Sequence, residues 1–74
     1  MSICVKLFAT LRENRDKKLE FDFKKGITSQ EIILKLNIEL NEVAILLVNG
    51  IYSPPEQELE DGDVVSLFPP VGGG

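Results

Sequence analysis

Short apolar stretches of strand length, broken by glycine and proline, fill most of this chain, and one stretch alone keeps a helical spacing. Ile3-Cys4-Val5-Lys6-Leu7-Phe8-Ala9 is rich in β-branched and large apolar residues and predicts a strand. Ile3, Val5 and Leu7 then share one face, and Cys4, Lys6 and Phe8 the other. Thr10 to Lys17 is polar and charged and reads as a loop. Leu19-Glu20-Phe21-Asp22-Phe23-Lys24 alternates apolar with charged, the pattern of a half-buried strand, and pairs with the first as an antiparallel hairpin.

Lys25-Gly26 ends that hairpin, and a helix start follows. Thr28 is placed to N-cap, Glu31 is its capping-box partner three residues on, and Ile27 and Ile32 hold the hydrophobic-staple positions. Ile32, Ile33 and Leu36 give an apolar stripe for a short helix from Ser29 to Leu36 or Asn37. Asn37 to Glu42 reads as a loop, with Ile38 and Leu40 as candidates to turn inward. Ala44-Ile45-Leu46-Leu47-Val48 is continuously apolar, as an interior strand would be. Asn49-Gly50 signals a tight hairpin into Ile51-Tyr52, which Ser53-Pro54-Pro55 cuts short. Leu59 is a lone apolar anchor before an Asp61-Gly62 turn, and Val64-Val65-Ser66-Leu67-Phe68 is the final strand. A hairpin, a crossing helix and a returning pair predict an α+β fold: one mixed sheet of four to five strands with one main helix on one face. The helix carries the chain over so that the last strand lies parallel to the first. This is the β-grasp, ubiquitin-like arrangement, expected over residues 1–68, with residues 69–74 as a flexible tail.

The tail is Pro69-Pro70-Val71-Gly72-Gly73-Gly74. Proline has no N–H to give a sheet, so Pro69 and Pro70 end the pairing and favour an extended exit. Glycine loses the most entropy on ordering, so the expectation is a thin leash reaching roughly 13 Å from Val71 to Gly74. The only reactive group at its tip is the α-carboxylate of Gly74, and a bare backbone passes a narrow slot without side-chain clashes. That carboxylate has a reference pKa of about 3.3–3.7 and is ionised, hence a poor electrophile until another protein activates it. The alternative is a frayed end without function.

Composition narrows the classes. Seventy-four residues make one small domain, and a single cysteine forms no internal disulfide. No signal peptide or membrane-length apolar run is present, so the expected location is cytoplasmic. Twelve acidic against eight basic residues argue against nucleic acid as main partner. Histidine is absent, which removes the usual general base and the commonest metal ligand. The chain has no plausible acid–base set of its own and is not expected to be a catalyst by itself. Glu56, Glu58, Glu60, Asp61 and Asp63 read as a solvated loop without metal-ligand spacing.

Leu7-Phe8-Ala9-Thr10-Leu11-Arg12-Glu13, Val48-Asn49-Gly50, Leu59-Glu60-Asp61-Gly62-Asp63 and the run Phe68 to Gly74 together resemble the MoaD/ThiS family of ubiquitin-like sulfur carriers, from end to end and in the family's order. The two turn motifs alone mark only hairpin geometry; Phe-Pro-Pro-Val before a terminal Gly-Gly is far more specific. Leu7-Phe8-Ala9 and Phe68-Pro69-Pro70 are most similar to the molybdopterin-synthase small subunit (MoaD). The resemblance implies that an adenylating enzyme of the ubiquitin-activating type (MoeB/ThiF-like) uses ATP to activate Gly74. A sulfur donor then makes a thiocarboxylate. The tail next enters the synthase large subunit (MoaE-like) and gives its sulfur to cyclic pyranopterin monophosphate, forming the dithiolene. No cofactor is expected on this chain. Gly72 stands where the family often has Ala or Ser, a mild departure. Gly72, Gly73, Pro69, Pro70 and Val71 are the expected tail-binding residues. The alternatives are a ubiquitin-like protein modifier, a carrier for thiamine thiazole or tRNA thiolation, and a passive interaction module.

Cys4 invites a persulfide reading. It stands mid-strand, however, with only Lys6 as a charged neighbour to activate it, and reads as a packed or half-buried structural cysteine. Cys4→Ala is therefore expected to keep accepting sulfur; loss of transfer in that variant would show the thiol to be on the route. Phe8 and Phe68 are expected on one sheet face near the tail, either as an exposed docking patch or as core.

Overall fold

A computed structural model describes residues 1–70 of the chain. Five strands and one helix form: β1 (Ser2–Leu7), β2 (Lys18–Asp22), α1 (Ser29–Lys35), β3 (Ile45–Val48), β4 (Ile51–Tyr52) and β5 (Val64–Phe68). The sheet order is β2-β1-β5-β3-β4. β1 and β5 are parallel, Val5 beside Val65 and Leu7 beside Leu67; the other pairings are antiparallel. The mixed sheet and its parallel centre are those the element order predicts.

Alternation decides which residues form the core. Ile3, Val5, Leu7, Val65 and Leu67 point to one side and are fully buried, against Ile32 and Ile33 of α1. Ile27, Ile38, Leu11, Leu46 and Leu59 close the same cluster. The helix starts where the capping pattern puts it: Thr28 is extended and its Oγ1 accepts the Glu31 N–H at 3.2 Å. The capping box is only half made, and the Glu31 carboxylate instead pairs with Lys35 Nζ at 3.4 Å, one turn on. Ile27 and Ile32 are both buried, as a staple requires. Thr28→Ala should cost about 1 kcal/mol of stability, read as a lower urea midpoint at constant slope; a loss below about 0.3 kcal/mol would show that the cap contributes nothing.

The helix ends in a Schellman motif. Asn37 takes φ 61°, its N–H bonds Leu34 O at 3.0 Å, and the Ile38 N–H reaches Ile33 O at 3.2 Å. Ile38 is buried, as the inward reading requires, but Leu40 is exposed and lies on a short 3₁₀ turn (Leu40–Glu42). Asn49 and Gly50 both have positive φ, the requirement of the two-residue hairpin that joins β3 to β4.

Several boundaries differ from the sequence reading. β1 stops at Leu7, not Ala9, and Ala9–Arg12 forms a 3₁₀ turn inside the supposed loop. Leu11 is the reason: it is 3% exposed and belongs to the core. Ala9 enters that turn at φ 55°, a left-handed conformation that costs a non-glycine residue roughly 1–2 kcal/mol. β2 ends at Asp22, before Phe23 and Lys24. The acidic stretch is not merely solvated: Asp61 Oδ1 accepts the Ser2 N–H at 3.0 Å, and Asp63 accepts from Asn49 Nδ2 at 2.9 Å and the Glu60 N–H at 2.8 Å.

Candidate functional site at the strand exit and the uncovered sheet face

β5 lies between β1 and β3, so the chain's exit is held from both sides. The Phe8 N–H donates to Leu67 O at 3.2 Å, and the Ala44 N–H donates to Phe68 O at 2.8 Å. Pro69 and Pro70 follow without an N–H to extend either ladder. The direction in which the chain leaves the sheet is thus fixed by hydrogen bonds up to residue 68. Pro69 is half-buried and Pro70 exposed. Both border an open groove with Thr10, Arg15 and Asn37, so the exit runs beside the 3₁₀ turn.

Arg15 shapes that groove. Its guanidinium donates to Leu36 O at 3.2 Å, Leu11 O at 3.3 Å and Asn37 O at 3.4 Å. It ties the helix C-terminus, whose last carbonyls lack intrahelical partners, to the turn after β1.

The structure brings Phe8 and Phe68 together. Their rings stack with centroids 4.3 Å apart and an interplanar angle of 9°, an arrangement worth about 0.5–1.5 kcal/mol beyond area burial. Arg12 places its guanidinium carbon 5.4 Å from the Phe8 centroid and donates Nε to Leu7 O at 2.8 Å. Both rings are half-buried. Neither alternative from the sequence holds alone: they are not core, and they are not fully exposed, because each covers a face of the other.

Their surroundings widen the site. Register puts Ile45 beside Phe68 and Leu47 beside Ser66, with Val64 beside Cys4. All of these alternate with the buried set and so face away from α1. Ile45, Leu47 and Val64 are each half-buried. Among the described residues, one sheet face is therefore covered by the helix, while the other keeps an apolar strip leading to the exit. The sequence reading took Ala44 to Val48 as an interior strand, which β3 is, between β5 and β4, but it did not say which of its residues, or that Val64, would face away from the helix. A strand apolar on both faces, in a chain with one helix, was the available signal.

Cys4 is half-buried on the uncovered face, across from Glu20 and beside Val64. Among the described residues no cluster of three or more His, Cys, Asp or Glu side chains is suited to hold a metal ion. No helix among them is long and apolar enough to cross a membrane. Val71, Gly72, Gly73 and Gly74, the expected business end of the tail, lie outside the described residues.

A model of the ThiS family matches residues 5–74. Three solved structures place the fold among similar proteins. The Pyrococcus furiosus protein assigned as subunit 1 of a molybdopterin converting factor is 29% identical, with a TM-score of 0.75, over 96% of this chain and 99% of that one. SAMP1 from Haloferax volcanii is 27% identical, with a TM-score of 0.80, and both chains are covered in full. The complex of subunits 1 and 2 of molybdopterin-converting factor from Helicobacter pylori contains a chain 25% identical to this one, with a TM-score of 0.67 and full coverage of both. No curated protein matches the sequence.

Proposed function

We infer the function from the family: the chain belongs to the ThiS family, and we propose that it is the sulfur-carrying small subunit of a molybdopterin synthase. The observation that carries this reading is the exit. A strand hydrogen-bonded on both sides ends at Phe68, and the sequence continues as Pro69-Pro70-Val71-Gly72-Gly73-Gly74, within the family match. The likeness to subunit 1 of molybdopterin converting factors supports the assignment to that pathway.

In this reading a Gly74 carboxylate oxygen attacks the α-phosphorus of ATP on an adenylating enzyme, and pyrophosphate leaves. Sulfide-level sulfur from a donor then attacks the acyl carbon, the bond to the AMP oxygen breaks with AMP leaving, and a thiocarboxylate results. The terminus enters the large subunit, its sulfur attacks cyclic pyranopterin monophosphate, and water then cleaves the acyl–sulfur bond, which leaves the sulfur on the pterin and returns the Gly74 carboxylate; two such deliveries supply the two sulfurs of the dithiolene. The thiocarboxylate is a soft, ionised nucleophile, and delivery on a short tether raises its local concentration at the acceptor. This chain contributes a positioned end and a docking face, and the partners supply the acid–base chemistry, in the cytoplasm. Phe8 and Phe68, with Ile45 and Leu47, would meet the partner, while Pro69 to Gly73 fill its slot.

A second reading, a protein modifier joined to lysines through Gly74, is favoured by the likeness to SAMP1. Incubation with the cognate activating enzyme, ATP and a sulfur source separates the two. A carrier gains sulfur at its own terminus; a modifier gives isopeptide-linked lysine adducts on other proteins.

A further inference from the structure

Four of the eight basic residues of this acidic chain, Lys6, Arg12, Lys17 and Lys18, line one hollow with Leu7 and Phe8. All four are exposed. The β1–β2 register sets Lys6 directly across from Lys18, and alternation puts both on the face away from α1. Like charges opposite one another in an antiparallel pair destabilise the sheet. No carboxylate relieves them: the one ion pair among the described residues joins Lys35 to Glu31. Arg12 commits Nε to Leu7 O, and its two terminal nitrogens have no hydrogen-bond partner among the described residues. Half the cations of a chain of net charge −4 thus stand together, unpaired, against an aromatic stack at the strand exit.

We propose that this hollow docks an acidic segment of a partner protein, with its carboxylates on Lys6, Lys17, Lys18 and Arg12 and an apolar side chain against Phe8. A run of carboxylates fits four cations spread on long side chains; a single phosphate would want a compact cradle of donors. A nucleic-acid duplex fits poorly, because Glu13, Asp16 and Glu20 lie close to these cations along the sequence and the whole chain is acidic. Unpaired cations beside a docking face steer encounter and fix its register more than they add affinity. The proposal concerns docking, shares the partner-facing surface with the carrier reading, and does not require that Gly74 carry sulfur.

The test is an NMR titration of the ¹⁵N-labelled full chain with a short peptide of aspartates and glutamates around one phenylalanine. Inorganic phosphate and a DNA duplex are titrated alongside. The expected result is peptide-induced shifts of the Lys6, Phe8, Lys17 and Lys18 amides, weakening about tenfold or more in Lys17→Glu/Lys18→Glu and again at high salt. Lys24→Glu/Lys25→Glu carries the same change in net charge at the other end of β2 and should bind within about twofold of the parent. If the first double reversal unfolds, Lys17→Gln and Lys18→Gln should each show a smaller loss. No shift at these amides, equal weakening in both double variants, or the same shifts from phosphate or DNA at lower concentration would overturn the proposal. Sulfur loading is read separately by mass: a chain that binds the peptide here but never gains sulfur ends the carrier reading alone, and the converse ends this one alone.

Discussion

Deleting Gly74 is expected to reduce sulfur loading by about 100-fold or more while leaving the melting temperature unchanged. The new carboxylate would stand one residue, roughly 3.5 Å, short of where the activating enzyme needs it, and misplacement by even ~1 Å from attack geometry can cost ~10²-fold. Stability should not move, because the whole core lies between Ile3 and Leu67. Loading is measured with purified activating enzyme and sulfur donor, and melting by circular dichroism. Wild-type loading in the deletion variant would remove the terminus from the mechanism.

Leu67→Ala should have the largest effect on the body. Leu67 is fully buried in the central strand, between Leu7 of the parallel partner and Leu46 of the antiparallel one. Truncating such a leucine costs about 2–5 kcal/mol, in part because the surrounding strands cannot collapse into the space. At roughly 0.05–0.15 kcal/mol per residue, a domain of this length has only about 4–11 kcal/mol in total. The melting temperature should fall by roughly 8–40 °C. Ser66→Ala, one residue away on the uncovered face, should stay within about 0.5 kcal/mol of the parent. If the two variants lost the same amount, the assignment of faces in β5 would be wrong.

What could be read from the sequence was local. Asn49-Gly50 specifies its turn through its own backbone preferences, and both residues take the positive φ that the turn demands. Thr28, Ile27 and Ile32 mark the helix start for the same reason, since a cap and a staple act within five residues. The parallel placement of β5 on β1 followed from element order. The misses were long-range. Leu11 sits in a polar stretch and is held in the core by a turn that Arg15 fastens to carbonyls 21 and 22 residues away. Asp63 looked solvated until folding brought Asn49 against it. Glu31 had two partners within reach, the Thr28 N–H and Lys35, and only the folded rotamer shows that Lys35 was taken.

For the candidate site the division is similar. Phe8 and Phe68 could be placed on one face by alternation, but not stacked, since that needs the parallel register of β1 on β5. Ile45, Leu47 and Val64 were hidden because a continuous apolar run does not say which of its faces lacks a cover. The convergence of Lys6 and Lys18 likewise depends on the register of β1 with β2.

The most direct test of the account is the intact mass of the full chain after incubation with its activating enzyme, ATP and a sulfur donor, followed by fragmentation to place any change. Replacement of one oxygen by sulfur, a gain of about 16 Da confined to Gly74, is the chemistry that tethered delivery requires and the result expected. An unchanged mass at that residue, or a gain that maps to Cys4 instead, would contradict it.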